Sequence, residues 1–346
     1  MIYFEHSRTQ RARHRSGLTR VASRLLQEIG GAAKPVTVFQ RGAGRSTTAA
    51  NFHPEKTDWL FTAELFSETE SPGLWNFIRE RRCRLAAIFH DAIPLKLPHV
   101  TWPQSVARQP EYMKMLADFD RVFAVSEASR KDLIEFWRWQ GVEPRAEVET
   151  IALGADFSGQ SRDARATEEG RANLLCIGIL EPRKNQAFLL DVCDSLWRDG
   201  LAFDLHVIGR VNPHFGKPVL AKIKTLRKTW RGLHYHEAAS DAFMAALYGD
   251  ARASVFPTMA EGCGLPLLES LWLGVPCICS DLPVLRENAD AGGCVPVAPN
   301  DFEGWREALR RVLTDAAHAQ ELVQAAVSRA LPTWADTAKS LLTRLS

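Results

Sequence analysis

The sequence predicts an α/β fold in two halves, each a parallel sheet with crossover helices. Three observations carry this. Short apolar runs alternate with helix-length amphipathic stretches along most of the chain. One polar segment, 158–172 (SGQSRDARATEEGRA), breaks the alternation near the middle and reads as a linker or surface loop. The 346 residues, 46% of them hydrophobic, suffice for two cores at roughly 150 residues per domain.

The elements follow in chain order. Strands are expected at 36–39, 59–62, 85–89 and 121–125, because each run is short, apolar on both faces and followed by helix-length sequence. Between and after them, amphipathic spacing predicts helices at 18–29 and 128–139. Ser126 is placed to cap the second, with Ser129 one turn on. After the polar break the pattern restarts. Strands are expected at 173–179, 203–208, 253–256 and 275–279, with helices at 187–197, 241–248, 266–272 and 302–314. Pro266 suits the first turn of its helix. The reading divides the chain into residues 1–160, residues 161–331, and a C-terminal segment, 332–346. The helix 334–345 of that last segment is able to pack back on the first domain.

Composition excludes several classes. With 43 Lys+Arg against 41 Asp+Glu, a formal charge of +2 argues against a nucleic-acid binder. Apolar stretches such as 85–89 fall far short of the ~18 residues that span a bilayer. The opening MIYFEHSRTQ lacks the signal-peptide pattern. Seven cysteines form no C-x-x-C pair, and Cys176, Cys193, Cys277 and Cys279 sit among apolar residues. Reduced thiols in a cytoplasmic protein are therefore expected, rather than disulfides or a zinc site. The charge is uneven: residues 1–45 hold nine Lys/Arg against Glu5 and Glu28, and 79–84 (RERRCR) add a second cluster. A solvated basic face fits this, and so does a foothold on an anionic membrane surface or a lipid-diphosphate acceptor.

Two segments carry the chemistry. In 256–273 (FPTMAEGCGLPLLESLWL) a strand ends at Phe256 and a helix begins near Leu265. Gly262 and Gly264 let the backbone approach a ligand, and the helix N-terminus offers N–H groups to an anion. Glu261 lies before the turn, and Glu269 about one turn inside the helix. In 176–190 (CIGILEPRKNQAFLL) Arg183 and Lys184 fall at a helix start, where the helix dipole disfavours cations. A diphosphate would relieve that, Arg offering a planar fork and Lys a point charge.

GILEPRKN, followed some way on by AEGCGLPLLES, resembles the retaining glycosyltransferases of family 4. The first motif is Gly178 to Asn185, the second Glu261 to Glu269, with Cys263 where an aromatic residue is common. The resemblance is clear over the C-terminal half and weaker before it. It implies the GT-B fold, two facing Rossmann-like domains with a central cleft. It also implies that Arg183 and Lys184 bind the donor diphosphate and that Glu261 contacts the transferred sugar. Amides around Cys263, Gly264 and Leu265 would cradle phosphate or sugar, Glu269 would accept from the ribose, and Gly209 would border the base together with 237–240. In the N-terminal half, His90 ends an apolar strand in an H-D-x-I-P segment similar to the family's, and would touch a sugar hydroxyl. Asp91 would cap the next turn or fix the imidazole tautomer. Gly17 resembles a family glycine near the phosphates, though many relatives have two glycines there.

Two decoys fail on their own residues. Thr47 stands where 42–44 (GAG) would need a third glycine, and Gln160 replaces the P-loop lysine in 154–161. No D-x-D carboxylate pair is counted among the motifs, and Arg183 and Lys184 are placed to meet the diphosphate charge, so a reaction without metal or other cofactor is expected. The expectation is a hexosyltransferase moving sugar from a nucleotide sugar, with GDP-mannose favoured, to a glycan or lipid-linked acceptor in surface-polysaccharide synthesis. A sugar-nucleotide epimerase of the same fold and a catalytically silent binding domain are the alternatives.

Overall fold

The computed structural model describes residues 1–11, 17–37, 52–157 and 172–346. It divides into two compact units. The first is Met1–Gly154 with Pro332–Ser346, the second Ala155–Leu331. The break falls just before the boundary expected at 160, because Phe157 packs edge-on against Tyr248 of the second unit, 5.7 Å between ring centres. The polar segment itself, 158–171, lies outside the described residues, as do 38–51 with their glycine decoy and 12–16 with Arg13 and Arg15.

In the first unit six strands pair in parallel: β1 (Ile2–Glu5), β2 (Ala33–Val36), β3 (Trp59–Thr62), β4 (Arg84–Phe89), β5 (Arg121–Ala124) and β6 (Glu147–Thr150). Their order is β2-β1-β3-β4-β5-β6. β2 runs over Ala33–Val36, with Ala33 and Val36 buried beside β1, and residues 38–39 of the strand expected at 36–39 lie outside the described residues. Ser126 caps the helix Glu127–Gln140 by accepting from the Ser129 amide at 3.0 Å. The helix Trp334–Leu345 belongs to this unit: Trp334 is fully buried, Thr337 Oγ1 donates to the Ala152 carbonyl at 2.9 Å, and Arg344 donates to the Thr150 carbonyl at 2.8 Å.

The second unit repeats the plan with β7 (Ala172–Ile177), β8 (Phe203–Ile208), β9 (Leu233–His236), β10 (Ala251–Phe256), β11 (Cys277–Ser280) and β12 (Cys294–Val297), in the order β12-β11-β10-β7-β8-β9. All its strand pairs are parallel. β7 and β10 are neighbours although some 75 residues apart, so their carboxyl-terminal loops meet. Four strands escaped the apolar-run criterion. β6 and β9 are edge strands that carry polar side chains, β12 is an edge strand of four residues interrupted by Pro296, and β1 is only four residues ending in Glu5. Among the described residues no helix is long and apolar enough to cross a membrane.

Candidate functional site

The site in the second unit grows from the junction of β7 and β10. Beyond β7 the chain makes a tight turn, Pro182–Lys184, closed by Asn185 in the left-handed region (φ 56°), and only then enters the helix Gln186–Arg198. Beyond β10 the segment 257–264 leads to Gly264 and the helix Leu265–Trp272. The two loops are zipped together: the Arg183 carbonyl accepts from the Met259 amide at 2.8 Å and from Thr258 Oγ1 at 3.2 Å. This places Arg183 and Lys184 beside Glu261.

Four charges sit in this junction. Arg183 donates to Glu181 Oε1 through Nε (3.0 Å) and Nη2 (2.7 Å), and through Nη1 to the Ala260 carbonyl at 2.8 Å. Lys184 Nζ lies 2.5 Å from Glu261 Oε1 and 5.0 Å from the centre of the Phe256 ring. The same carboxylate oxygen accepts from Thr258 Oγ1 at 2.7 Å and lies 3.4 Å from Arg183 Nη1. The Lys184 and Glu261 side chains are only 11% and 10% exposed. Burial pushes the Lys184 ammonium down, against the pull of Glu261. Burial alone would raise the Glu261 carboxyl, but Lys184 and Arg183 outweigh it and hold it below its ordinary value. The anion expected near the two cations is therefore present within the chain, as Glu181 and Glu261.

Glycines shape the rest of the junction. Gly264 has φ 84°, and a Cβ there would stand 2.6 Å from Leu285 Cδ2, so no other residue fits this turn without repacking. Gly209 ends β8 with φ 149°, and a Cβ would meet the Gly178 carbonyl oxygen at 2.1 Å. That close approach of two backbones explains Gly209 without a ligand. Leu265 starts the helix and is buried. Cys263 is buried too; desolvation pushes its thiol up to about 12, and its carbonyl accepts from Asn288 Nδ2 at 3.1 Å. Glu269 is 5% exposed, on the same helix one turn on.

His90 and Gly17 belong to the first unit. His90 follows β4 and is 6% exposed. Its Nε2 lies 2.8 Å from the Ala63 carbonyl. A carbonyl only accepts, so Nε2 carries the proton and Nδ1 is left as an acceptor. Burial lowers the imidazole to about 4, so it is neutral near pH 7. Asp91 caps the next turn, its Oδ1 accepting from the Ile93 amide at 3.0 Å, so the tautomer is set by Ala63 and not by Asp91. Gly17 opens the helix Gly17–Ile29, with nothing within 4 Å of the position of a Cβ.

Sequence reasoning missed Glu181, Thr258 and Asn212. Glu181 Oε2 accepts from Asn212 Nδ2 at 2.9 Å, which ties the Arg183 turn to the loop after β8. Thr258 has no exposed surface. Both are polar residues directly beyond apolar strands, the one signal that could have found them. The expectation that D-x-D is absent is wrong: Asp118-Phe119-Asp120 has that spacing. Asp120, at the amino end of β5, is spent on Arg81 (3.0 Å), Arg145 (3.1 Å) and the Leu85 amide (2.8 Å).

Residues 158–329 match the family described as glycosyl transferases group 1. Over 219 residues the chain is 30% identical to the serotype-specific mannosyltransferase WbdA of Escherichia coli, covering 58% of this chain and 26% of that one. It is 26% identical over 275 residues to O-antigen chain mannosyltransferase B of Escherichia coli, covering 76% and 69%. The chain thus spans about a quarter of the length of the WbdA relatives it matches. Anabaena HepE, solved in complex with UDP and glucose, superposes with a TM-score of 0.73 at 12% identity, over 99% of this chain and 98% of that one. The fold is GT-B, and the stretch 158–329 is similar in sequence to the glycosyl transferases group 1 family.

Proposed function

From that similarity as premise, we propose that the chain is a retaining hexosyltransferase. It moves a hexose, mannose from GDP-mannose in the favoured case, from a nucleotide sugar to a glycan or lipid-linked glycan in surface-polysaccharide synthesis. The observation that carries this reading is the junction of β7 and β10, where Arg183 and Lys184 are buried beside Glu261 at the carboxyl ends of parallel strands, the usual ligand end of such sheets. The mannosyltransferase names of the relatives favour mannose, and HepE, solved with UDP, makes a uridine donor the next choice.

The chemistry is departure of a nucleoside diphosphate from an anomeric carbon. Negative charge grows on the leaving phosphate while the sugar becomes oxocarbenium-like. Arg183, Lys184 and the amides opening the helix Leu265–Trp272 would meet that charge, and one preorganised donor of this kind is worth ~3 kcal/mol. The cations supply this stabilisation, so the reading needs no metal. The acceptor attacks the face the diphosphate leaves, and the departing phosphate takes its proton, so no protein nucleophile is assigned. Glu269 would accept from the ribose, and neutral His90 would accept from a sugar hydroxyl through Nδ1. The free, mostly buried cysteines suit a reducing compartment, and the basic residues near the N-terminus suit a peripheral place at an anionic membrane face.

The test is turnover of GDP-mannose and UDP-hexoses with a mannan-type acceptor, followed by NMR. Transfer with an α-configured product from the α-donor is expected, with Lys184→Ala reducing it at least about 100-fold. Conversion of the donor without acceptor would favour an epimerase, and near-normal turnover by Lys184→Ala would remove the phosphate assignment.

A further inference from the structure

Glu261 does something at the junction that its assignment to the sugar leaves unused. Its Oε1 accepts from Lys184 and Thr258 together, at 2.5 and 2.7 Å. Arg183 does not depend on it. The guanidinium is pinned by Glu181 and by the Ala260 carbonyl, and approaches Glu261 only at 3.4 Å. Lys184 differs: among the described residues, Glu261 is the one hydrogen-bond acceptor for its ammonium, which otherwise lies over the Phe256 ring. Its stem passes 3.4 to 3.6 Å from the position of a Cβ on Gly178, which leaves the ammonium little room to turn elsewhere.

A phosphate oxygen that reached Lys184 would share one ammonium with the Glu261 carboxylate. Two anions around a single buried cation repel each other strongly where water is scarce. One of them must withdraw. Thr258 sets how readily the carboxylate goes. Its hydroxyl has one proton and three oxygen acceptors in reach, the Arg183 and Ala260 carbonyls and Glu261 Oε1, and the shortest of the three contacts is to Glu261.

We propose that Glu261 is the resident counter-anion of the phosphate subsite, that the donor diphosphate displaces it from Lys184, and that the displaced carboxylate then serves the sugar. The inference rests on the diphosphate reading of Arg183 and Lys184 given above. It makes Glu261 a competitor of the nucleoside diphosphate and a helper of the intact donor. Thr258 is the positioning residue of the exchange.

The two roles predict effects of opposite sign in one variant. Glu261→Gln keeps the shape and an acceptor oxygen for Lys184 but removes the competing charge. By calorimetry, its affinity for GDP or UDP should tighten about fivefold, the scale of one charge pair, while turnover of the sugar donor falls. Thr258→Val keeps every charge and frees the carboxylate, so it should tighten the same diphosphate by a smaller factor. It carries the test if Glu261→Gln proves unfolded in a thermal melt. Diphosphate affinity that is unchanged or weaker in the variants, with binding by the unaltered chain, overturns the exchange and leaves the function standing. Failure of the unaltered chain to bind any of GDP, UDP, ADP or dTDP overturns both.

Discussion

Lys184 shows why residue type at this junction reports chemistry. A lysine this buried is costly, because its charged form loses water, and the chain spends a second buried charge, Glu261, to keep it. An apolar pair would fill the same space at lower cost. Cys263 marks the opposite case. It stands in the second motif at a position next to the helix start, where a thiol would be reactive if it were exposed and ionised. Burial instead pushes it to about 12. Iodoacetamide at pH 8 should leave Cys263 unlabelled in the folded chain and label it after denaturation, read by mass spectrometry. Rapid labelling of the native protein would contradict the packing of this turn.

At the scale of elements, the helix Trp334–Leu345 shows how local signals and packing agree. Thr333 and Asp336 form a reciprocal capping box, and Trp334 seats the helix in the first unit. Thr333→Ala should cost about 1 kcal/mol of stability in denaturant titration; no loss would mean the helix is held by its apolar face alone. The same logic explains what was legible in the sequence. The strands β3 and β8 run over the ranges predicted for them: all four residues of β3 are buried, and in β8 Phe203, Leu205, Val207 and Ile208 are buried while Asp204 and His206 are half-buried. The edge strands β6 and β9 drew no strand expectation, because GluValGluThr and LeuHisTyrHis are not apolar runs; paired on one side only, they leave every residue but Leu233 at least partly exposed. In the junction, Arg183, Lys184 and Glu261 stood out by motif. Glu181 and Thr258 did not, since a single polar residue beyond a strand has no pattern of its own; the β7–β8 pairing brings Asn212 to Glu181, and the β7–β10 pairing brings Arg183 to Thr258.

At the scale of the whole molecule, each unit has its own core and its own buried charges, and acid stability follows from them. In the first unit two buried groups oppose each other. His90 is lowered to about 4, so between about pH 4 and 6.5 the unfolded chain binds more protons there and stability rises with pH. Glu5 is raised to about 7, by burial first and then by Glu64, so between about pH 4.5 and 7 the folded chain binds more protons there and stability falls with pH. The two act in opposite directions between about pH 4.5 and 6.5. Glu5→Gln should uncover the histidine, with stability rising from pH 4.5 to 6.5, and His90→Gln the carboxyl, with stability falling. Flat profiles for both variants, in urea titrations, would show that neither group is perturbed as its burial requires.

The central claim is that the junction of β7 and β10 holds a nucleoside diphosphate through Arg183 and Lys184. Titration calorimetry of GDP, UDP, ADP and dTDP against the unaltered chain and Lys184→Ala tests it most directly. The account predicts that one base binds best and that Lys184→Ala weakens it at least about tenfold, or 1.4 kcal/mol. Equal affinity in the two proteins, or no binding of any of the four, would contradict it.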